Sequence, residues 1–143
     1  MMLSTPARPR VVLTYGSFDL LLPGHVDLLQ KLSAMGTELI VGCATDAFNA
    51  QNGKQTVMPF DQRRALLQRC RYVDRVIAEE NWAQKRTDIV NYNVSVFAIG
   101  DNWAGHFDDL QDLAQVVYLP RGSHGRPDLL RSPAPRGPQR ATG

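Results

Sequence analysis

Cysteine is scarce in this 143-residue chain, with only Cys43 and Cys70, and neither has a second Cys or a His at ligand spacing. That argues against a zinc site and against a disulfide framework, and for reduced, buried thiols. Long apolar runs are missing too: no stretch approaches the roughly 20 residues needed to span a bilayer, and MMLSTPARPR lacks the apolar core of a signal peptide. A cytoplasmic protein is expected. Charge of one sign is also lacking, since the formal net charge is +2 with 21% charged residues, so nothing in the composition demands nucleic acid or a membrane surface. The length suits one domain with a single core.

What is present is a regular alternation of elements. Val11 to Tyr15 is a β-branched apolar run ending at Gly16, and it reads as a buried strand. A helix over Asp27 to Met35 follows, with Val26, Leu28, Leu29, Leu32 and Met35 at helical spacing and Gly36 as its left-handed stop. Glu38 to Ala44 is a second buried strand, and Thr45-Asp46 stands at its carboxyl end. Residues 50–59 carry Gly, Asn, Gln and a lone Lys54 without periodicity, which reads as a mobile loop. Asp61 is expected to cap a helix running to about Cys70.

Val73 to Ile77 reads as a short strand, and Trp82 to Asn91 as a helix whose charged residues face water. Val94 to Ile99 is another buried strand ending at Gly100-Asp101, and Val116 to Leu119 is the last before Pro120. This βαβαβαβ order predicts an α/β fold, a parallel sheet with helices on both faces and right-handed crossovers. A single domain over 1–130 is expected. The Pro-, Arg- and Gly-rich stretch 131–143 has almost nothing apolar to bury and reads as a disordered tail.

Polar residues gather where strands end. Between Tyr15 and His25 stand Gly16, Ser17, Phe18, Asp19 and Gly24. A glycine after a buried strand lets backbone approach a ligand, and amides at the next helix start suit phosphate. His25 at that helix start serves either as an imidazole donor to a phosphate oxygen or as a capping residue. Asp19 either holds a phosphate-bound Mg²⁺ or satisfies loop amides. Ser17 either donates to phosphate or ends the strand. Trp82 and Trp103 either stack on a base or pack beneath a loop.

Gly16-Ser17-Phe18-Asp19-Leu20-Leu21 followed by Gly24-His25 resembles the nucleotide-binding signature of the cytidylyltransferase superfamily, G-[ST]-F-D-x-x-H-x-G-H. Further blocks are similar to the bacterial glycerol-3-phosphate cytidylyltransferases: Thr45-Asp46-x-Phe48-Asn49, Arg71-Tyr72-Val73-Asp74, Asn81-Trp82-x-Gln84-Lys85, Gly100-Asp101-x-Trp103-x-Gly105 and Val117-Tyr118-Leu119-Pro120-Arg121. The match runs from about Val11 to Arg121. The resemblance implies a Rossmann-like nucleotidyltransferase fold, a homodimer, and transfer of CMP from CTP to sn-glycerol 3-phosphate with release of pyrophosphate and Mg²⁺ as cofactor. It implies catalytic roles for His25, Lys54 and Arg121. It implies a nucleotide site built from Tyr15, Gly16, Ser17, Phe18, Asp19, Gly24, His25, Gly100, Asp101, Trp103 and Arg121, with Asp19 also the metal ligand. Lys54, Arg63, Arg71 and Asp46 are the implied acceptor contacts. Taken by themselves, Arg63 and Arg71 serve either an acceptor phosphate or surface pairs, and Lys54 is equally readable as a solvated lysine.

Three departures all concern phosphate contacts. Leu22, followed by Pro23, stands where the signature has its first histidine, and leucine cannot donate a hydrogen bond. After Arg121 the chain reads Gly122-Ser123-His124-Gly125-Arg126-Pro127 where the family reads Arg-Thr-x-Gly-Ile-Ser-Thr-Thr. Asn102 replaces a second aspartate, keeping the shape and losing the charge. An enzyme with weakened catalysis, a nucleotide-binding regulator without turnover, and a cytidylyltransferase for another phosphorylated acceptor are the alternatives these changes raise.

Overall fold

The computed structural model describes residues 8–120, so Arg121, the altered segment 122–127 and the expected tail 131–143 lie outside the described residues. Strands β1 (Val11–Gly16), β2 (Glu38–Ala44), β3 (Arg75–Glu79), β4 (Val94–Gly100) and β5 (Gln115–Leu119) form one sheet in the order β3-β2-β1-β4-β5. Every neighbouring pair is parallel. Helices α1 (Pro23–Ser33), α2 (Asp46–Gln51), α3 (Phe60–Arg69) and α4 (Gln84–Asn91) fill the connections.

Side-chain alternation along β1 divides the core in two. Val12 packs with Leu29 and Leu32 of α1 and Leu67 of α3 on one face. Val11, Leu13 and Tyr15 pack with Ile89 of α4, and with Phe107 and Leu110 of the β4–β5 connection, on the other. Both faces are thus covered, as a sheet of continuous apolar strands requires. The sheet order reverses between β1 and β4, and that is where an open α/β sheet leaves a crevice at its carboxyl edge. Gly16 and Gly100 end the two strands that flank it.

Several boundaries differ from the sequence expectation. Helix α1 begins at Pro23, four residues before Asp27, because proline in the first helical turn gives up an amide that would have no partner there. Gly36 does not stop α1 in a left-handed conformation; its tight fit is the reason for glycine, since a Cβ there would lie 2.2 Å from the Arg10 carbonyl oxygen. Residues 46–51, the last two of them expected to be loop, form α2, capped by the Thr45 hydroxyl on the Phe48 amide. The Phe60 amide that opens α3 is capped by Asp46 rather than Asp61, at 3.0 Å. Strand β3 lies two residues later than expected.

Candidate active site

The loop after β1 has an unusual backbone. Phe18, Leu20 and Leu21 all have positive φ, at 52°, 64° and 43°. Side chains with a Cβ resist that region, so the surrounding contacts must hold the strain. Two of those contacts are visible. The Phe18 ring folds back over Gly16, where a Cβ would lie 2.8 Å from it, and meets His25 edge-on at 5.5 Å. The Asp19 carboxylate accepts the Val57 and Met58 amides at 2.7 and 3.0 Å, tying this loop to the segment before α3.

That last contact bears on the metal role expected of Asp19. Each Asp19 oxygen is committed to a backbone amide, and among the described residues no group of three His, Cys, Asp or Glu converges on a metal position. Asp19 thus satisfies loop amides, and it is the single carboxylate this loop could offer a phosphate-bound Mg²⁺.

His25 sits on the third residue of α1, and its Nδ1 accepts the Leu22 amide at 3.0 Å. A neutral imidazole accepting at Nδ1 carries its proton on Nε2, so both roles open to it are compatible: one nitrogen caps the helix, the other is a donor. Burial holds the pKa below the usual histidine value, opposed by Asp19 and reinforced by Lys54. Lys54 is therefore within electrostatic reach of His25. Its own pKa is lowered, first by desolvation and then by Arg63, with Glu79 acting in the opposite sense. The side chain stays exposed, and among the described residues no carboxylate lies within ion-pair distance of it. A cation and a neutral donor thus share the carboxyl edge of the sheet.

Other expected site residues have structural duties. Arg63 is fully buried rather than on the surface. Its guanidinium donates to the carbonyls of Met58, Ser17 and Ala44 at 2.9, 2.9 and 2.7 Å and pairs with Asp46 at 2.7 Å. This fork knots together the ends of β1 and β2 and the segment entering α3, and its burial keeps it from an acceptor phosphate. Asp46 is spent likewise, on Arg63 and on the Phe60 amide, and those two bonds depress its pKa. Arg71 lies past the end of α3, stacked on Tyr72. The adjoining Asp74 bonds Leu39 at the amino end of β2, so Arg71 belongs to the edge of the sheet opposite the crevice. Tyr15 is in the core, its hydroxyl donating to Asp88 at 2.7 Å; burial first, and Asp88 second, raise its pKa.

Ser17 donates to Asn49 at 3.0 Å. Asn49 is buried, and its Nδ2 has no partner. Gly24 is the second residue of α1, beside His25, and across the crevice Gly100 ends β4 with Asp101 just beyond it. Trp103 packs in an aromatic row, 5.4 Å from Trp82 and 5.8 Å from Phe107.

A buried ion pair escaped the sequence reading, which had the charged residues of α4 facing water. Glu79, the last residue of β3, bonds Lys85 at 2.7 Å, and both are buried. Desolvation raises the Glu79 pKa while Lys85 restrains it. The signal was available: a glutamate closing a strand, six residues before a lysine inside the Asn81–Lys85 block.

A parallel sheet of this order, with a glycine-ended first strand feeding a histidine-bearing helix start, defines the nucleotide-binding class of α/β proteins. A family model for cytidylyltransferase-like proteins matches residues 13–129, and the chain belongs to that family. It is 48% identical to the glycerol-3-phosphate cytidylyltransferase of Bacillus subtilis (strain 168) over 77% of this chain and 85% of the relative. Identity to the enzyme of the same name from Staphylococcus aureus (strain NCTC 8325 / PS 47) is 44%, over 77% and 83%. The crystal structure of a lipopolysaccharide core biosynthesis protein from Thermoplasma volcanium GSS1 superposes with a TM-score of 0.67 at 23% identity, covering 78% of this chain and 97% of that one. That likeness speaks for the fold alone.

Proposed function

We propose that the protein transfers CMP from CTP to sn-glycerol 3-phosphate, giving CDP-glycerol and pyrophosphate. The relatives at 44–48% identity support the substrates. The observation that carries the chemistry is the His25 imidazole, whose Nδ1 is held by a backbone amide so that Nε2–H is the donor. In the reaction an acceptor phosphate oxygen attacks the α-phosphorus in line, and the bond to pyrophosphate breaks. The protein's work is to align two anions and neutralise the charge that builds on them. His25 Nε2–H donates to a phosphate oxygen, and the exposed Lys54 ammonium answers the negative charge from the other side. Magnesium enters with the triphosphate as part of the substrate. The chain acts in the cytoplasm and as the homodimer expected of the family, for which a light-scattering mass twice that of the chain is the check.

Leu22 favours a second reading, nucleotide binding without efficient turnover, because the position adjoining the His25 cap has no donor side chain. One assay separates the two. Folded protein mixed with CTP, Mg²⁺ and glycerol 3-phosphate is expected to release pyrophosphate and form CDP-glycerol. No product above background at high protein concentration, with CTP binding intact in calorimetry, selects the second reading.

A further inference from the structure

The ammonium of Lys85 lies inside a cage of aromatic rings. Its Nζ is 4.2 Å from the centroid of Tyr15, 4.6 Å from Trp82, and 5.9 Å from both Phe48 and Phe107. Glu79 closes the cage with a carboxylate at 2.7 Å. Aromatic faces around one carboxylate are an arrangement suited to binding an ammonium group, and here the chain supplies that group itself. Stability is a poor reason for it, since a buried ion pair contributes little over well-packed apolar side chains.

The position of the cage suggests another reason. Glu79 ends β3, and the Thr45 amide donates to its carbonyl, so the cage adjoins the carboxyl ends of β2 and β3. Phe107 comes from the β4–β5 connection and Trp82 lies 5.4 Å from Trp103, so the cage also reaches the residues that follow β4. Trp82 forms the outer wall, with its side facing solvent partly open, and donates to Asn52, two residues before Lys54. The Glu79 charge is felt by Lys54. The cage is therefore joined, through Trp82 and Asn52, to the segment that carries Lys54, the cation expected to meet the acceptor phosphate.

We propose that Lys85 is the resident occupant of a cation cage beside the acceptor subsite and thereby sets the acceptor class: phosphates with hydroxylated heads are admitted, and those with ammonium heads are refused. This rests on the transferase reading above. An ammonium head meets a filled cage and a like charge, whereas a polyol head meets neither obstacle. Lys85 is a specificity-determining residue that takes no part in bond making.

The test compares the unaltered protein with Lys85→Ala and Lys85→Ala/Glu79→Gln, offering glycerol 3-phosphate, phosphoethanolamine and phosphocholine as acceptors. In Lys85→Ala the kcat/KM ratio of phosphocholine over glycerol 3-phosphate should rise by about 30-fold, as expected of a desolvated cation–π site. Removing the Glu79 charge as well should return most of that gain. A readout independent of turnover is thermal unfolding in choline chloride against sodium chloride at equal ionic strength. Choline should stabilise Lys85→Ala and leave the unaltered protein unmoved. If the unaltered protein makes no CDP-glycerol, the transferase reading fails, while the choline shift and phosphocholine binding followed by tryptophan fluorescence still decide the cage. Should Lys85→Ala not fold, Lys85→Gln keeps most of the side chain, one atom shorter and without the charge, and should shift the same ratio in the same direction. Folded variants with neither a choline shift nor a changed ratio overturn the proposal.

Discussion

Leu22 and His25 are joined through the backbone, and that link fixes what each side chain can do. His25 Nδ1 holds the Leu22 amide, so the Leu22 Cα is already fixed against the start of α1. Leu22→His therefore places a second imidazole on a backbone that need not move. A single transition-state donor is worth roughly 10²- to 10³-fold in turnover, and kcat for CDP-glycerol formation should rise on that scale. An unchanged kcat in steady-state assays means that the position does not reach the reacting phosphate. The second prediction concerns protonation. Desolvation and Lys54 outweigh Asp19 at His25, so its ring resonances in NMR should titrate with a midpoint below 6.5, and Lys54→Ala should move that midpoint upwards. The sign for stability follows from the same shift. As pH falls below 6.5 the unfolded chain takes up the proton before the folded one does, so the free energy of unfolding declines until the folded midpoint is passed. A midpoint at or above 6.5 contradicts the burial argument.

Among the elements, the strands were the most legible, because buried parallel strands need unbroken β-branched runs and VVLTYG, ELIVGCA and VSVFAIG supply them. Helix beginnings were harder. Pro23-Gly24 looks like punctuation, yet proline opens α1, and α2 spans only six residues, too few for a periodic face to show. Least legible were the buried charges, since an arginine in a helix of low apolar content reads as solvated until three separate chain segments close over it. Arg63 is the case in point, and it decides how α3 meets the sheet. Arg63→Ala leaves the carbonyls of Ser17, Ala44 and Met58 without their donor, while the exposed Asp46 carboxylate regains water at little cost. At about 1–3 kcal/mol for a buried acceptor left bare, which the Ala44 carbonyl is, and less for the part-buried carbonyls of Ser17 and Met58, the loss in urea unfolding should reach about 2–3 kcal/mol. Arg63→Lys should recover only part of it, because one ammonium cannot reproduce the fork. A loss below about 1 kcal/mol in Arg63→Ala would falsify the role of this side chain as the knot between β1, β2 and α3.

For the molecule as a whole, alternation of elements was enough to give a parallel sheet, and the strand order then put the polar loops of β1 and β4 on either side of one crevice. Which polar residues turn towards that crevice was beyond the sequence, because Tyr15 and Arg63 are polar at positions the fold closes and Asp46, though exposed, is tied to Arg63 and the Phe60 amide. The division between binding and turnover is a property of this whole arrangement. A ligand held only by the folded chain raises its unfolding free energy by about 2.7 kcal/mol at a concentration 100 times its Kd. CTP should stabilise the unaltered protein by that amount, because the amides at the start of α1, His25 and Lys54 are in place before any chemistry. Leu22→His should gain in kcat while its CTP-dependent stabilisation stays the same, since a donor that strengthens only as charge builds on phosphate lowers the barrier without tightening the ground state. Calorimetric Kd values for CTP measured beside the turnover numbers decide this. If Leu22→His instead tightened CTP tenfold and left kcat alone, the new imidazole would be gripping the bound triphosphate, and the crevice would be built for holding nucleotide rather than for transferring it.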